Sequence, residues 1–197
     1  KNYRFLKNIL DRGLLVRRIN IRQVVSYKNT KIEREQRKNR KGKQSQRKHI
    51  ILEKSKVEKR FIYYRDKIRK EIDHTFLKKN FPIGVVLDEV IIEAQNPGYY
   101  LARPLGSYPI TIKIPTDDLQ ATEAKQNGRP CRVVITGFEE RSIQALNYPV
   151  DLHKLGRKAL ETLPGLSKKQ AVDLFLRLGQ NQVSDAEKAA LLHQSTL

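Results

Sequence analysis

The residues best suited to acid–base chemistry occur as two adjacent pairs of carboxylates, Asp117-Asp118 and Glu139-Glu140. Two carboxylates close together can divide the roles of general acid and general base, or bind a hard metal ion. The first pair follows Thr116, where a short helix is expected to begin, and the second joins two expected strands. Helix starts and hairpin turns collect acidic residues for structural reasons, so we predict that neither pair is catalytic.

Other candidate catalytic or metal-binding residues are scattered along the chain. The four histidines show no ligand spacing, and the single cysteine, Cys131, precedes a valine-rich segment that suits a core position. One cysteine excludes an internal disulfide framework and a cysteine-based zinc site, and it fits a reducing compartment. The glycines are spaced as turns, without a phosphate-binding loop. The sequence therefore predicts no enzyme activity, no cofactor, no metal site and no small-molecule substrate. The histidines are His49, His74, His153 and His193.

The positive charge is concentrated in the first two-fifths of the chain. Residues 1–80 hold 27 Lys and Arg against 8 Asp and Glu, a net charge of +19, whereas residues 81–197 hold 13 of each sign. Such asymmetry points to a nucleic-acid or anionic-membrane partner. Apolar runs are five residues or fewer, which excludes a membrane-spanning helix. No methionine is present, so Lys1 is not expected to be the translation start.

Residues 27–49 form a polar, basic arm whose only aliphatic side chain is Ile32. We expect this arm to be irregular alone and to become ordered on RNA, because it buries too little apolar surface to offset its ordering entropy. A solvated spacer is the alternative. The arm lacks the Trp, Phe or Leu face that inserts into lipid, which favours nucleic acid over a membrane surface. The predicted contacts to RNA phosphates, in the arm and beside it, are Arg17, Arg18, Arg22, Lys28, Lys31, Arg34, Arg37, Lys38, Arg40, Lys41, Lys43, Arg47, Lys48, Lys56, Arg60, Lys67 and Lys70.

A long amphipathic helix is predicted over residues 50–80. Its apolar side chains recur every three or four positions, which is the period of one helix face, and Pro82 disfavours helix in the residue before it. We interpret this apolar stripe as a packing surface and the opposite, basic face as the RNA side. A coiled coil between two copies is the alternative. The stripe consists of Val57, Phe61, Tyr64, Ile68, Ile72 and Phe76.

Residues 81–149 predict a small β domain. Strand patterns cover residues 84–94, 99–103, 110–114, 129–138 and 142–146, and a short helix lies between the third and fourth. This is the order of a five-stranded OB-type barrel, with a small α+β sandwich as the alternative. Tyr99, Tyr100 and Tyr108 are candidates for base stacking, but strand alternation turns one ring of the Tyr99/Tyr100 pair inward. Phe138 is expected in the core.

The C-terminal residues 150–197 predict three short helices. Asp151 can cap a helix over residues 152–163, and residues with capping-box form, Ser167 and Ser184, begin the two that follow. The predicted fold class is thus α+β, in four parts: a basic extension (1–49), the long helix (50–80), the β domain (81–149) and the helical cluster (150–197). A helix-turn-helix interpretation of residues 151–179 is disfavoured, because its second helix carries few cations.

A long basic extension on a small neutral domain resembles the organisation of ribosomal proteins, particularly the added proteins of mitochondrial ribosomes. The resemblance lies in this organisation alone, and no residue role follows from it. We therefore expect a non-enzymatic structural protein of a large ribonucleoprotein, located in the mitochondrial ribosome, with the cytoplasm or nucleus as alternatives. Its partners would be ribosomal RNA and neighbouring proteins. An assembly scaffold with a coiled-coil helix, or a DNA-binding chromatin or nucleoid protein, is the alternative function.

Overall fold

The computed structural model describes residues 2–14, 19–22, 31, 47–106 and 110–194. They form an α+β fold in which five strands make one mixed sheet, with helices before, within and after it along the chain. None of the helices in these ranges is long and apolar enough to cross a membrane.

The five strands lie where the alternation of apolar residues predicts them. Their pairing order is β1-β2-β3-β5-β4, and β4 pairs back with β1, so the pairings close on themselves. All neighbours are antiparallel except β3 and β5, which are parallel. The strands are β1 (Val86–Asn96), β2 (Tyr99–Pro104), β3 (Thr111–Pro115), β4 (Cys131–Phe138) and β5 (Ser142–Asn147).

Strand β1 closes the sheet because it has two neighbours along its length. Its first half pairs with β4 and its second half with β2, and the register shifts within each half. Glu89, at the register shift in the half that pairs with β4, has a φ of 53°, a left-handed conformation that is uncommon for a residue other than glycine. Irregularities of this kind bend a strand and increase its twist. The bend lets one 11-residue strand serve both edges of the sheet.

The main core fills the interior of the sheet. Its fully buried side chains alternate with outward-facing ones along β2 and β3, as a sheet with one buried face requires. A helix between β3 and β4, α4 (Leu119–Asn127), adds Ala121 to this core, and Leu77 enters it from the helix before β1. Its largest fully buried side chains are Val90, Ile112, Ile114, Val133, Ile135 and Ile143, each 0% exposed.

The predicted long helix is confirmed, with an added irregularity. It consists of α2 (Arg47–Ile68), a π-helical turn (Arg69–Asp73) and α3 (His74–Asn80). In a regular α-helix, successive steps of four residues drift around the axis by about 40°. The wider π turn offsets that drift and keeps Ile68, Ile72 and Phe76 on one face. This face packs against the N-terminal helix α1 (Asn2–Asp11) and against Ile19 and Ile21.

The prediction of one helix over residues 152–163 is wrong. A 3-10 turn (Leu152–Lys154) is followed by a single helical turn, α5 (Arg157–Leu160), because Gly156 between them is extended, with φ −76° and ψ 176°. The next two helices, α6 (Lys168–Gly179) and α7 (Asp185–Gln194), lie where predicted, and the Ser167–Gln170 capping box is present. This cluster packs on Val134 and Leu146, so β4 and β5 are buried on both faces.

The cysteine lies in the core, as predicted. Cys131 is 9% exposed, and its thiol donates to the Val90 carbonyl oxygen at 3.4 Å. Burial raises the pKa of the thiol to about 11, and the nearby Asp118 carboxylate adds to the rise. Because the thiolate is the reactive form, we expect Cys131 of the folded protein to resist iodoacetamide at pH 8 and to react within minutes in denaturant. Mass spectrometry of both samples measures this. Rapid alkylation of the folded protein would contradict the buried position.

Candidate nucleic-acid interface

The Tyr99/Tyr100 pair is divided between the two faces of β2. Tyr100 is 4% exposed, and its hydroxyl lies 3.0 Å from the Thr122 hydroxyl. Its ring is therefore a core group, and its prediction as a stacking residue is corrected. Tyr99 faces outward and is half-buried. Tyr108, the third candidate, lies outside the described residues.

Tyr99 lines a groove of about 170 Å³, which we call the Tyr99 groove. Alternation along β3 turns Lys113 to the same outer face, and the Lys113 ammonium lies 4.5 Å from the centre of the Tyr99 ring. An aromatic ring beside cations is the arrangement that lets proteins stack a base and hold its phosphate. The residues lining the groove are Gly98, Tyr99, Lys113, Pro115, Glu139, Gln144, Lys158 and Thr162.

One carboxylate, that of Glu139, also lines the groove. Its Oε2 accepts hydrogen bonds from the Lys113 ammonium at 2.5 Å and from the Ser142 hydroxyl at 2.9 Å. Partial burial alone would raise the pKa of Glu139, but these hydrogen bonds outweigh it, and the pKa is below its usual range. The charged Glu139 carboxylate therefore holds the Lys113 side chain in place, which is a structural role. Lys158 is the second cation of the groove.

The turn between β1 and β2 forms one wall of the groove. Pro97 and Gly98 occupy its centre, and the φ of 86° at Gly98 is one that glycine adopts without strain. The Lys158 ammonium approaches to within 3.5 Å of the position that a Cβ on Gly98 would take. The turn predicted from the sequence is therefore a wall of the groove that has no side chain at Gly98, and the Lys158 ammonium lies beside it.

The opposite rim, residues 139–141, is fixed to the end of the long helix. The Glu139 carbonyl oxygen lies 3.0 Å from Nδ1 of His74, and the Arg141 guanidinium lies 3.4 Å from the Asp73 carboxylate. A weaker contact joins Arg69 to Glu140 at 4.0 Å. The long helix is therefore fixed, through residues 69–74, to the segment that carries Glu139 of the groove.

The Asp117-Asp118 pair caps helices, as the structural interpretation of the sequence predicts. Asp118 is fully buried and accepts hydrogen bonds from the backbone N–H groups of Ala121, at the start of α4, and Asn147, in β5. Asp117 accepts from the N–H groups of Lys158 and Ala159, at the start of α5. Both carboxylates hold elements together, and within the described ranges no three His, Cys, Asp or Glu side chains are grouped as metal ligands.

The structure describes the side chains of five of the predicted phosphate-contact residues. Arg22, Lys31, Arg60 and Lys70 are exposed, whereas Lys67 is half-buried and lies 3.8 Å from a Glu71 carboxylate oxygen. The structure does not describe the side chains of the others: Arg17, Arg18, Lys28, Arg34, Arg37, Lys38, Arg40, Lys41, Lys43, Arg47, Lys48 and Lys56.

Of the residues that line the groove, only Tyr99 was predicted as a nucleic-acid contact; Lys113, Gln144, Lys158 and Thr162 carry the polar groups that were not. Lys113 had a signal in the sequence, because the alternating segment of residues 110–114 turns it away from the core once the strand is assumed. Lys158 and Thr162 had none. They reach the groove only because residues 155–162 fold back onto the sheet, where Leu155 forms a β-bridge with Asp118.

Two archaeal proteins are similar to this chain. A protein of Archaeoglobus fulgidus is 33% identical over 190 residues, which are 96% of this chain and 31% of that protein. A protein of Methanocaldococcus jannaschii is 37% identical over 126 residues, which are 62% of this chain and 20% of that protein. Both are described only as uncharacterised proteins, and this chain spans a third or less of their lengths. No protein-family model and no solved structure matches the chain.

These relatives correct the predicted location. Archaea have no mitochondria, so placing proteins of this kind in a mitochondrial ribosome is wrong. The prediction rested on a basic extension beside a neutral domain. That charge distribution carries no information about the compartment.

Proposed function

We propose that this chain is a non-enzymatic RNA-binding module, part of a longer protein that works as a structural component of a ribonucleoprotein. The observation that carries the proposal is the segregation of charge, with the whole net charge of +19 in residues 1–80. In this proposal the basic arm neutralises RNA phosphates, which supplies affinity without sequence preference. The neutral β domain then contacts unpaired bases at the Tyr99 groove.

The arrangement of the strands supports an OB-type interpretation of the β domain. The order β1-β2-β3-β5-β4, with α4 between β3 and β4, is the one expected of an OB-type barrel. Such barrels bind oligonucleotides on the face of strands 2 and 3, between the loops that follow strands 1 and 4. The Tyr99 groove contains Tyr99 of β2 and Lys113 of β3 and is bordered by Gly98 and Glu139, which supports this interpretation.

The test is a comparison of Tyr99→Leu with Tyr99→Phe in the whole 197-residue chain. Stacking of one base on an aromatic ring contributes about 1–3 kcal/mol. We expect Tyr99→Leu to weaken binding of a single-stranded RNA of about 12 nucleotides by roughly tenfold or more. Tyr99→Phe keeps the ring and should bind like the unaltered chain. Fluorescence anisotropy of labelled RNA measures both affinities.

Duplex RNA of the same length is the control ligand, because its paired bases expose no stacking face. Both variants should bind duplex equally, and affinity for either RNA should fall steeply as salt rises. Absence of binding to any RNA at low salt would contradict the proposed function. Equal binding of single-stranded RNA by the two variants would contradict only the role of Tyr99 and would leave the proposed function intact. Tighter binding of DNA than of RNA of the same sequence would favour the DNA-binding alternative.

A further inference from the structure

The long helix exposes large apolar and aromatic side chains in the turn before Ile68. Among the described residues, α1 and residues 19–22 cover the stripe at Ile68, Ile72 and Phe76 but not beyond it. Tyr64, predicted as a packing residue of the stripe, is 48% exposed, and its neighbour Tyr63 is 58% exposed. Ile62 is 42% exposed. Among the described residues, the stripe is therefore buried at Ile68, Ile72 and Phe76 and exposed at Tyr64.

The exposed tyrosines form an ordered aromatic surface. The rings of Tyr63 and Tyr64 meet edge to face, with centres 5.2 Å apart and planes at 79°. The Lys67 ammonium lies 5.8 Å from the centre of the Tyr63 ring and 4.8 Å from that of Tyr3. The Tyr3 hydroxyl in turn donates a hydrogen bond to Glu71, one turn along the helix from Lys67. We call Tyr3, Tyr63, Tyr64 and Lys67 the aromatic–basic surface.

The charges near this surface select an anionic partner. Residues 58–71 hold six Lys and Arg against three acidic residues. Two of the acids are already engaged, because Asp66 pairs with Arg65 at 2.9 Å and Glu71 lies 3.8 Å from Lys67. Lys59 and Arg60, on the turn before the tyrosines, are exposed. A second copy of the chain would bring the same positive charge against this face, which disfavours a coiled coil.

We propose that Tyr63 and Tyr64 stack unpaired bases of a single-stranded nucleic acid, while Lys59 and Arg60 contact its phosphates. This inference rests on the proposed function and adds a second contact, distinct from the Tyr99 groove. A single strand is the partner because its bases expose their faces, whereas the bases of a duplex are stacked on one another. At 1.5 Å per residue, Tyr63 lies about 15 Å along the helix from Asp73, which pairs with Arg141, two residues from Glu139 of the groove. This distance is short enough for one strand to contact both surfaces.

The experiment compares Tyr63→Leu/Tyr64→Leu with Tyr63→Phe/Tyr64→Phe in the whole chain. Both replacements are exposed, and leucine is a better helix former than tyrosine, so both variants should fold. We expect the leucine variant to bind a single-stranded RNA of about 20 nucleotides at least tenfold more weakly. The phenylalanine variant and the binding of duplex RNA should be unchanged. Ultraviolet crosslinking of the unaltered chain should place RNA on the peptide that contains Tyr63 and Tyr64.

Several results would overturn the inference. Unchanged binding of single-stranded RNA by the leucine variant would contradict stacking on Tyr63 and Tyr64 and would leave the proposed function intact. An equal loss for single-stranded and duplex RNA would mean that the rings act through the fold rather than by stacking. A dimer in sedimentation velocity without RNA, lost in the leucine variant, would show that a second copy covers the face. Absence of RNA binding by the unaltered chain would overturn the inference and the proposed function together.

Discussion

Replacing Asp118 by alanine is expected to lower the free energy of unfolding by roughly 2–4 kcal/mol, from loss of a helix cap and of a buried hydrogen-bond acceptor. The carboxylate is 0% exposed, with Oδ1 3.1 Å from the Ala121 nitrogen and Oδ2 2.8 Å from the Asn147 nitrogen. Truncation removes both acceptors. Asp118→Asn should also destabilise the protein, because an amide N–H₂ would face the Asn147 N–H group. Denaturant unfolding followed by circular dichroism measures these losses.

The control for these variants is Asp88→Asn. Asp88 also bonds to a neighbour, Arg132 at 2.6 Å, but its side chain is 67% exposed. Surface ion pairs contribute about 0–1 kcal/mol, so this variant should unfold close to the unaltered protein. An Asp118 variant as stable as the Asp88 variant would show that α4 and β5 are held together by apolar packing alone.

Asp118 also predicts a pH dependence of stability. Burial raises the pKa of its carboxyl above the ordinary value of 3.8, and the backbone hydrogen bonds from Asn147 and Ala121 only partly oppose the rise. The folded chain therefore holds this proton more tightly than the unfolded chain. The contribution of the protonated Asp118 carboxyl to the free energy of unfolding is fully present below the ordinary pKa. It is lost as pH rises through the pKa of the folded state. The difference in unfolding free energy between the unaltered protein and Asp118→Asn should shrink over that range.

The sequence predicted the elements of the sheet because each strand carries a local signal. Alternating residues such as Ile112 and Ile114 are buried as expected, and the Pro97-Gly98 turn lies between β1 and β2. No local pattern in the sequence indicates how β1 pairs with both β2 and β4. This pairing depends on a left-handed conformation at Glu89, where the sequence has no glycine to indicate one.

The limits of sequence interpretation at the site have the same physical origin. Local patterns predict which side chains share a face of one strand or one helix. The sequence could therefore identify Tyr99 as a candidate and predict that only one ring of the Tyr99/Tyr100 pair faces outward. The approach of Lys158 depends on contacts between segments about 60 residues apart, which periodicity does not encode. The exposed Tyr64 shows the converse: its spacing predicts a packing position, but the described neighbouring segments, α1 and residues 19–22, pack against Ile68, Ile72 and Phe76 and leave Tyr64 exposed.

Neutralising the basic arm is expected to have the largest effect on binding. The variant replaces Arg37, Lys38, Arg40 and Lys41 with glutamine. Each phosphate contact contributes about 0.7 to the slope of log affinity against log salt for a single strand, so loss of four contacts should reduce that slope by about 3. At physiological salt the same loss corresponds to a weakening of RNA binding on the order of a hundredfold. Anisotropy titrations at several salt concentrations measure both quantities.

The matched control removes four cations from the neutral part of the chain, with Arg129, Arg157, Lys168 and Lys169 replaced by glutamine. All four side chains are exposed, and the change in net charge is the same. If the arm holds the phosphates, the control should keep almost all of its affinity and its salt slope. Equal losses in both variants would mean that total charge governs binding and that residues 27–49 act as a spacer. The comparison therefore separates a phosphate-binding arm from a merely basic protein.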